Sequence, residues 1–244
     1  MISTSTAALQ LTVKLLLLPL WLLSFLGIWG PFSSLFFPYI MNCLAKEYSV
    51  KMIKRKRDLF FNLQDFPRHN AKLTVLEIGC GTGVNFQFYP KGSRVICVDR
   101  NRHFDKFLSE NAKKYPHLQV EKVVSPAEDL NGVADGSVDA VVCTLVLCSV
   151  NNVQKVLNEV VRVLKPGGTF YFMEHVVADP STWTYFFQQI IDPLWWYIAD
   201  GCCLIRNTAK YLEESGFSDL KVRHMQAPLK LHLVRPHIVG YAVK

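Results

Sequence analysis

The stretch LEIGCGTGVNF, Leu76–Phe86, decides the fold because an apolar run ends there in a loop with glycines at 79, 81 and 83. Glycine adopts positive φ at little cost and lets a ligand approach the backbone closely. A dinucleotide-binding G-x-G-x-x-G loop would need glycine where Val84 stands, and a phosphate-binding G-x-x-x-x-G-K-S/T loop is absent. The loop therefore predicts a ligand site at the end of a strand, for a ligand that is not held by its pyrophosphate.

Two acidic residues, one in each of two neighbouring apolar runs, complete this predicted site. Asp99 lies twenty residues after Gly79, at the end of the next apolar run, RVICVD. A carboxylate at this position is placed to accept both hydroxyl groups of a ribose. Glu77 puts another carboxylate beside the loop amides, so the set predicts a binding site for an adenosine group.

The chain on either side of this site alternates between two patterns. Short β-rich runs (LTVLEIG, RVICVD, VDAVVCTLVL, TFYFMEHV) are separated by segments with helical spacing, such as NVQKVLNEVVRVL. Alternation of this kind predicts an α/β fold with a mostly parallel sheet covered by helices on both faces. We assign this domain to residues 71–244.

The amino-terminal segment 1–45 differs from the rest in having no charge from Leu15 to Ala45. Leu15–Trp29 would span only about 22 Å as a helix, although a start at Ala7 would reach the ~30 Å of a hydrocarbon core. Gly30-Pro31 interrupts the pattern before FSSLFFPYIMNCLA resumes it. We expect an uncleaved membrane anchor, either spanning or a hairpin in one leaflet, because a signal peptide would need a basic start and a small-residue cleavage site.

The net charge of +7 is concentrated just after this segment. Residues 46–57 carry six basic side chains and one acidic side chain, a net charge of +5. We predict a basic linker helix over residues 46–70, with residues 1–57 contacting membrane lipid and the following domain in the cytosol. A charged helix that is merely solvated is the alternative. The remainder has no basic face, so no nucleic-acid partner is expected, and no obligate protein partner is inferred.

The seven cysteines are odd in number and form no C-x-x-C pair, which favours a reduced chain. Most lie in apolar runs, where cysteine usually packs as a small hydrophobic side chain. Cys202 and Cys203 are adjacent, but two neighbouring cysteines without further ligands make a poor metal site. No metal is expected.

The glycine loop, Asp99 and the turn LKPGG together resemble the sequence motifs of the class I methyltransferases that use S-adenosylmethionine. The segments LEIGCGTGVNFQFYP, DGSVDAVVCTLVLCSV, FMEHV, DGCCL and RPHIVGYAVK, together with the apolar amino terminus, are similar to the methyltransferase-like protein 7 group. This resemblance implies a Rossmann-like seven-stranded sheet, S-adenosylmethionine as cofactor and S-methylation of small lipophilic alkyl thiols or hydrogen sulfide. It also implies a location at the endoplasmic reticulum membrane and lipid droplets.

The resemblance also assigns roles around the cofactor. The loop backbone should border the amino-acid part, Glu77 should orient the loop, and Asp99 should hold the ribose. Ala127 and Glu128 occupy the position that meets the adenine edge, with Asp129 as an alternative, and Glu128 could instead cap a helix. Thr144 and Leu145 should line the methyl side. The predicted cofactor-binding residues are Glu77, Gly79, Cys80, Gly81, Gly83, Asp99, Ala127, Glu128, Thr144 and Leu145.

Methyl transfer to a thiol needs only a weak base, because a thiol is already partly ionised at neutral pH. His175, just after the fifth strand, is the first candidate for a base or for orienting the substrate, and a structural histidine is the alternative. Asp200 is the second candidate. The aromatic segment 181–199 is expected to be a substrate lid, although it could pack on the sheet or lie at the lipid headgroups.

Other functions stay open at this point. The acceptor could be a lipid or quinone oxygen or carbon, RNA, or protein. The chain could also be a non-catalytic lipid-droplet protein, although such a protein would not need an open adenosine cleft.

Overall fold

The computed structural model describes residues 4–64 and 72–244. Residues 1–3 of the predicted anchor, 65–70 of the predicted linker helix and residue 71 lie outside this part of the chain. The seven strands form one sheet in the order β3-β2-β1-β4-β5-β7-β6. Strand bounds are β1 Thr74–Ile78, β2 Arg94–Asp99, β3 Gln119–Val124, β4 Val138–Thr144, β5 Leu164–His175, β6 Asp219–Gln226 and β7 Pro236–Val243.

The sheet is parallel from β3 to β5, and β7 runs antiparallel between β5 and β6. The predicted mostly parallel seven-stranded α/β fold is therefore confirmed. The strand order reverses between β1 and β4, since β2 and β3 lie on one side of β1 and β4 and β5 lie on the other. The carboxyl ends of β1, β2 and β4 therefore border a crevice, where ligands of such sheets bind.

The helices cover both faces. Their bounds are α1 Thr4–Leu16, α2 Leu18–Phe25, α3 Trp29–Leu59, α4 Asp105–Ala112, α5 Val153–Val163, α6 Trp183–Ile198 and α7 Thr208–Glu213. Helix α5 shows why they form: apolar residues recur at three and four residues on one buried face, and Asn152 Oδ1 accepts the N–H of Lys155 at the helix start. The buried residues are Val153, Val156, Leu157, Val160 and Val163.

The amino-terminal segment folds as three helices rather than one. In the described part of the chain, none of them is by itself long and apolar enough to cross a bilayer. Thr6–Leu16 and α2 meet that requirement only as a pair, and they are bent by 56° to each other. The interruption lies at residues 26–28, slightly before the predicted one, because Pro31 falls in the first turn of α3, where proline is tolerated.

Helix α3 is continuous from this apolar segment through the basic cluster. Its second half packs on the sheet through a buried stripe that comprises Ser49, Met52, Lys56 and Leu59. Met52 and Leu59 join the core under β1 and β5. Of the predicted linker helix, residues 46–59 are therefore the end of a 31-residue helix that packs on the α/β domain, and residues 61–64 form a separate 3-10 turn.

Candidate active site

A cavity of about 620 Å³ opens at the carboxyl edge of the sheet. The glycine loop after β1, Asp99 at the end of β2 and Thr144 at the end of β4 line one side. Apolar side chains from α3 and α6 line the other, among them Phe37, Ile40, Met41, Leu44, Trp195 and Ile198. A cavity of this size, apolar with a few polar groups, is typical of small-molecule sites.

The glycine loop is held against Asp99. Gly79 and Gly81 have φ of +61° and +51°, in the left-handed region that favours glycine. The Gly81 N–H donates to Asp99 Oδ2 at 3.0 Å, and the Asn101 N–H donates to Asp99 Oδ1 at 2.9 Å. Burial raises the pKa of Asp99, while these two N–H groups oppose the rise. Each carboxylate oxygen keeps a free lone pair with which to accept a ribose hydroxyl.

Glu77 lies in a buried polar chain below the loop. The Lys56 ammonium donates to Asn85 Oδ1 at 2.7 Å, and Asn85 Nδ2 donates to Glu77 Oε1 at 2.9 Å. The Tyr89 hydroxyl donates to Glu77 Oε2 at 2.6 Å. Burial raises the pKa of Glu77 to about 7 and lowers the pKa of Lys56 to about 8. Glu77 is thus linked through Asn85 to the residues that follow the loop, and the positive charge that opposes its negative charge comes from Lys56 of α3. Its orienting role stays a prediction.

A proline in α3 makes a second link between this helix and the site. Pro38 has no N–H, so the Ser34 carbonyl lacks its usual helical partner. Asn101 Nδ2 donates to that carbonyl at 2.8 Å. Because the Asn101 N–H also holds Asp99, the predicted ribose carboxylate is connected to α3 through one side chain.

Most of the other predicted cofactor residues line the cavity. Ala127, Thr144 and Leu145 lie on its wall, and Leu145 has a φ of +60°, a strain that clusters at functional sites. Glu128 also lies on the wall, but its Oε1 accepts the N–H groups of residues 151 and 152 at the start of α5. Its predicted contact with the adenine edge therefore stays a prediction beside an observed capping role.

Gly83 is the one predicted cofactor residue that does not border the cavity among the residues that the structure describes. A Cβ added there would lie 2.6 Å from Phe86 Cε2. Gly83 instead permits close packing of the loop on an aromatic ring, so its role is to shape the loop.

The two predicted catalytic residues lie at the cavity in different settings. His175 is buried, and its Nε2 lies 2.7 Å from Cys202 Sγ. Asp200 has a φ of +51°, and its carboxylate pairs with Arg100 at 2.8 Å. His175 Nε2 and the Asp200 carboxylate have these partners, whereas His175 Nδ1 is buried without a hydrogen-bond partner among the described residues. The catalytic roles of both residues stay predictions.

The adjacent Cys202 and Cys203 contact Cys148 in different ways. Cys202 Sγ lies 3.5 Å from Cys148 Sγ, next to His175, whereas the N–H of Cys203 donates to the Cys148 carbonyl at 2.9 Å. The hydrogen bond with Cys202, together with burial, holds the pKa of the Cys148 thiol well above its usual range. The sequence does not indicate this grouping, since the three residues come from distant parts of the chain.

The contribution of α3 is the part of the site that the sequence interpretation missed. Lys56 belongs to the basic cluster predicted to contact lipid, yet it is 1% exposed. Tyr48 lies two turns before Lys56 in α3, and its hydroxyl donates to His237 Nε2. Nε2 is the acceptor because the other ring nitrogen, Nδ1, faces the Arg235 carbonyl and must carry the hydrogen. The buried positions 49, 52, 56 and 59 recur at three and four residues, and that spacing was the available signal.

The residues present fit S-adenosylmethionine. The glycine loop offers backbone to the amino-acid part, the half-buried Asp99 carboxylate lies on the cavity wall where it could accept the ribose hydroxyls, and Ala127 leaves room for a flat base. The cavity continues past Thr144 toward an apolar wall, which is where an acceptor would lie beside the methyl group.

Comparison with known proteins agrees with this geometry. A methyltransferase domain family matches residues 76–172. Human thiol S-methyltransferase TMT1A is 55% identical over 91% of both chains, and human thiol S-methyltransferase TMT1B is 50% identical over 97% of both chains.

Solved structures share the fold at low identity. A methyltransferase from Methanosarcina mazei superposes with a TM-score of 0.55 at 22% identity, covering 71% of this chain and 92% of its own. The cyclase SpnF superposes with a TM-score of 0.58 at 15% identity, covering 77% and 80%. The fold alone therefore does not fix the reaction. On the close relatives and the matching domain, the chain belongs to the family of TMT1A and TMT1B and is a class I methyltransferase that uses S-adenosylmethionine.

Proposed function

We propose that this methyltransferase acts on the sulfur of small lipophilic thiols, hydrogen sulfide included, at a membrane surface. The observation that carries the proposal is the cavity: its cofactor loop and its apolar α3 wall belong to one continuous space. The names of the human relatives support sulfur as the acceptor.

When bound, S-adenosylmethionine supplies an activated methyl group. The protein has to hold the acceptor sulfur close to it, in line, and to exclude water. The apolar side chains of α3 and α6 exclude water and favour an alkyl chain over a charged acceptor. A thiol with its ordinary pKa needs only weak help to ionise, so methyl transfer to a thiol does not depend on a strong base at His175 or Asp200.

The membrane part of the proposal rests on exposed apolar side chains. Leu16, Phe25 and Trp183 are 75%, 74% and 77% exposed, and α6, which carries Trp183, packs against α1. Gln10 Nε2 donates to the Gln189 carbonyl at 2.8 Å, which joins the two helices. Apolar surface on this scale is typical of membrane contact. We propose that the exposed side chains of residues 1–57, not the stripe of α3 that is buried on the sheet, contact lipid at the cytosolic face of the endoplasmic reticulum or of lipid droplets, which is what the family resemblance implies.

The acceptor is tested with the full chain in detergent, labelled S-adenosylmethionine and a panel of alkyl thiols, hydrogen sulfide, phenols, quinols and RNA. We expect label in thioethers or methanethiol. Transfer to quinols or phenols in preference to thiols would refute sulfur as the acceptor and favour a lipid oxygen or carbon acceptor.

Asp99→Ala tests the proposed contact between this carboxylate and the ribose of the cofactor. Removing a charged hydrogen-bond partner costs about 1.5–3 kcal/mol, so S-adenosylhomocysteine should bind about 10- to 100-fold more weakly. Asp105→Ala, on exposed α4, is the control and should bind normally. Unchanged binding by Asp99→Ala would mean that the ribose contact is wrongly assigned.

A further inference from the structure

Three side chains that ligate transition metals meet at the cavity wall. Cys148 lies between β4 and α5, His175 ends β5, and Cys202 follows α6. All three are buried, and their ligand atoms lie within 4.8 Å of one another. All three also line the cavity that holds the glycine loop.

The donor set and spacing suit zinc. With Zn–S of about 2.3 Å and Zn–N of about 2.0 Å, a tetrahedral ion separates two sulfurs by roughly 3.7 Å and a sulfur from a nitrogen by roughly 3.5 Å. The two sulfurs are 3.5 Å apart, which matches. His175 Nε2 lies 2.7 Å from Cys202 Sγ, so this pair must open by about 1 Å, a distance within side-chain rotation.

The backbone holds the two cysteine segments together without any ion. The Cys203 N–H donates to the Cys148 carbonyl at 2.9 Å, and the Cys202 N–H donates to the Ala199 carbonyl at 3.1 Å. Gly201, with a φ of +82°, makes the turn that returns Cys202 to the cavity. The ligands are thus preorganised by the fold, as a functional metal site requires.

Three protein ligands leave one tetrahedral position open. Structural zinc sites are closed by four protein ligands, whereas catalytic sites keep a position for water or substrate. Among the described residues, these three are the only group that offers metal ligands in this way. Because each lines the cavity, the open position faces the space proposed for the acceptor.

We propose that Cys148, His175 and Cys202 bind one zinc ion whose fourth position takes the sulfur of the acceptor thiol. The role in thiol activation rests on the proposed function, whereas the metal site does not. On coordination the thiol loses its proton to solvent and becomes a thiolate. The new bond joins that sulfur to the methyl carbon, the bond from that carbon to the sulfonium sulfur breaks, and its electron pair stays on the departing sulfur.

The metal is tested independently of activity. The full chain, purified without chelator, is analysed for metal by mass spectrometry, and the zinc is then exchanged for Co²⁺. We expect about one zinc per chain, and cobalt spectra with thiolate charge-transfer bands and the intense visible bands of a tetrahedral site. Cys148→Ser and Cys202→Ser should lose the metal and these bands, whereas Cys203→Ser should keep both.

The folding of each variant is checked by S-adenosylhomocysteine binding, so that loss of metal is not confused with loss of structure. Zinc below stoichiometry that Co²⁺ cannot restore, or cobalt bands that survive in both serine variants, would overturn the site. A Cys148–Cys202 disulfide as the dominant state under reducing purification would also overturn it. Thiol methylation by a metal-free, chelator-treated enzyme would refute zinc activation while leaving the proposed function intact.

Discussion

Lys56→Met tests the buried charge pair that joins α3 to the cofactor loop. Lys56 is 1% exposed and Glu77 is 2% exposed, and they share Asn85 as a bridge. Burial shifts the pKa of Glu77 from 4.5 to about 7 and that of Lys56 from 10.5 to about 8. Each shift corresponds to about 3 kcal/mol between the charged and neutral forms.

The sign of the pH dependence follows from proton uptake. The raised pKa of Glu77 gives stability that is present below about pH 4.5 and lost as the pH rises to about 7. The lowered pKa of Lys56 gives stability that is lost as the pH falls from about 10.5 to about 8. Between about pH 7 and 8 both groups are charged in the native protein, so the pair contributes no slope there.

Lys56→Met removes the charge that lowers the pKa of Glu77, so that pKa rises further. The variant then goes on losing stability above about pH 7, by up to about 1.4 kcal/mol per pH unit relative to the native protein, until the pH reaches the new pKa of Glu77. Urea unfolding in mild detergent, followed by tryptophan fluorescence at about pH 6 and about pH 8, measures this difference.

Two further variants make the test specific. Lys54→Met, on the exposed face of the same helix, should change stability by less than about 0.5 kcal/mol at either pH. Adding Glu77→Gln to Lys56→Met removes the ionising group, so the extra pH dependence should disappear. A Lys56→Met protein that tracks the native protein at both pH values would refute the charge pair.

The remaining predictions concern the loop and the amino-terminal helices. Gly79→Ala places a Cβ 2.2 Å from Val146 Cγ2 at positive φ, so it should destabilise by about 2–4 kcal/mol in thermal unfolding. Gly81→Ala, at positive φ but with its nearest neighbour 3.7 Å away, should cost only about 1 kcal/mol, and equal losses would contradict the contact. Deleting residues 1–45 keeps the buried stripe of α3 but removes part of the apolar cavity wall. The shortened chain should fold, leave the membrane fraction and methylate lipophilic thiols with a raised KM; complete unfolding would show that the catalytic domain depends on the deleted helices.

Much of the fold was predictable because its signals are local. The runs around Leu76, Val95 and Val141 are apolar and flanked by turns, and each became a strand of the parallel sheet. The glycine loop and Asp99 were predictable for the same reason, since they follow or end two neighbouring parallel strands, β1 and β2, that one short connection joins.

The rest depends on contacts between distant segments. The charge of Lys56 indicated a surface or lipid contact, and only packing of α3 on the sheet buries it beside Asn85. Cys148 and Cys202 are separated by 54 residues, and the turn after α6 brings them together. The spacing of positions 49, 52, 56 and 59 could indicate that this face of α3 is buried, but neither composition nor periodicity indicates which distant residues it contacts.

Pro38 gives α3 an unusual mutational behaviour. Replacing it with alanine would restore a main-chain hydrogen bond to Ser34 and so favour the helix taken by itself. The same change would compete with Asn101 for that carbonyl and loosen the segment that orients Asp99. At position 38 the stability of the helix and the binding of the nucleoside therefore favour different residues. Attempts to stabilise α3 by substitution should leave Pro38 unchanged.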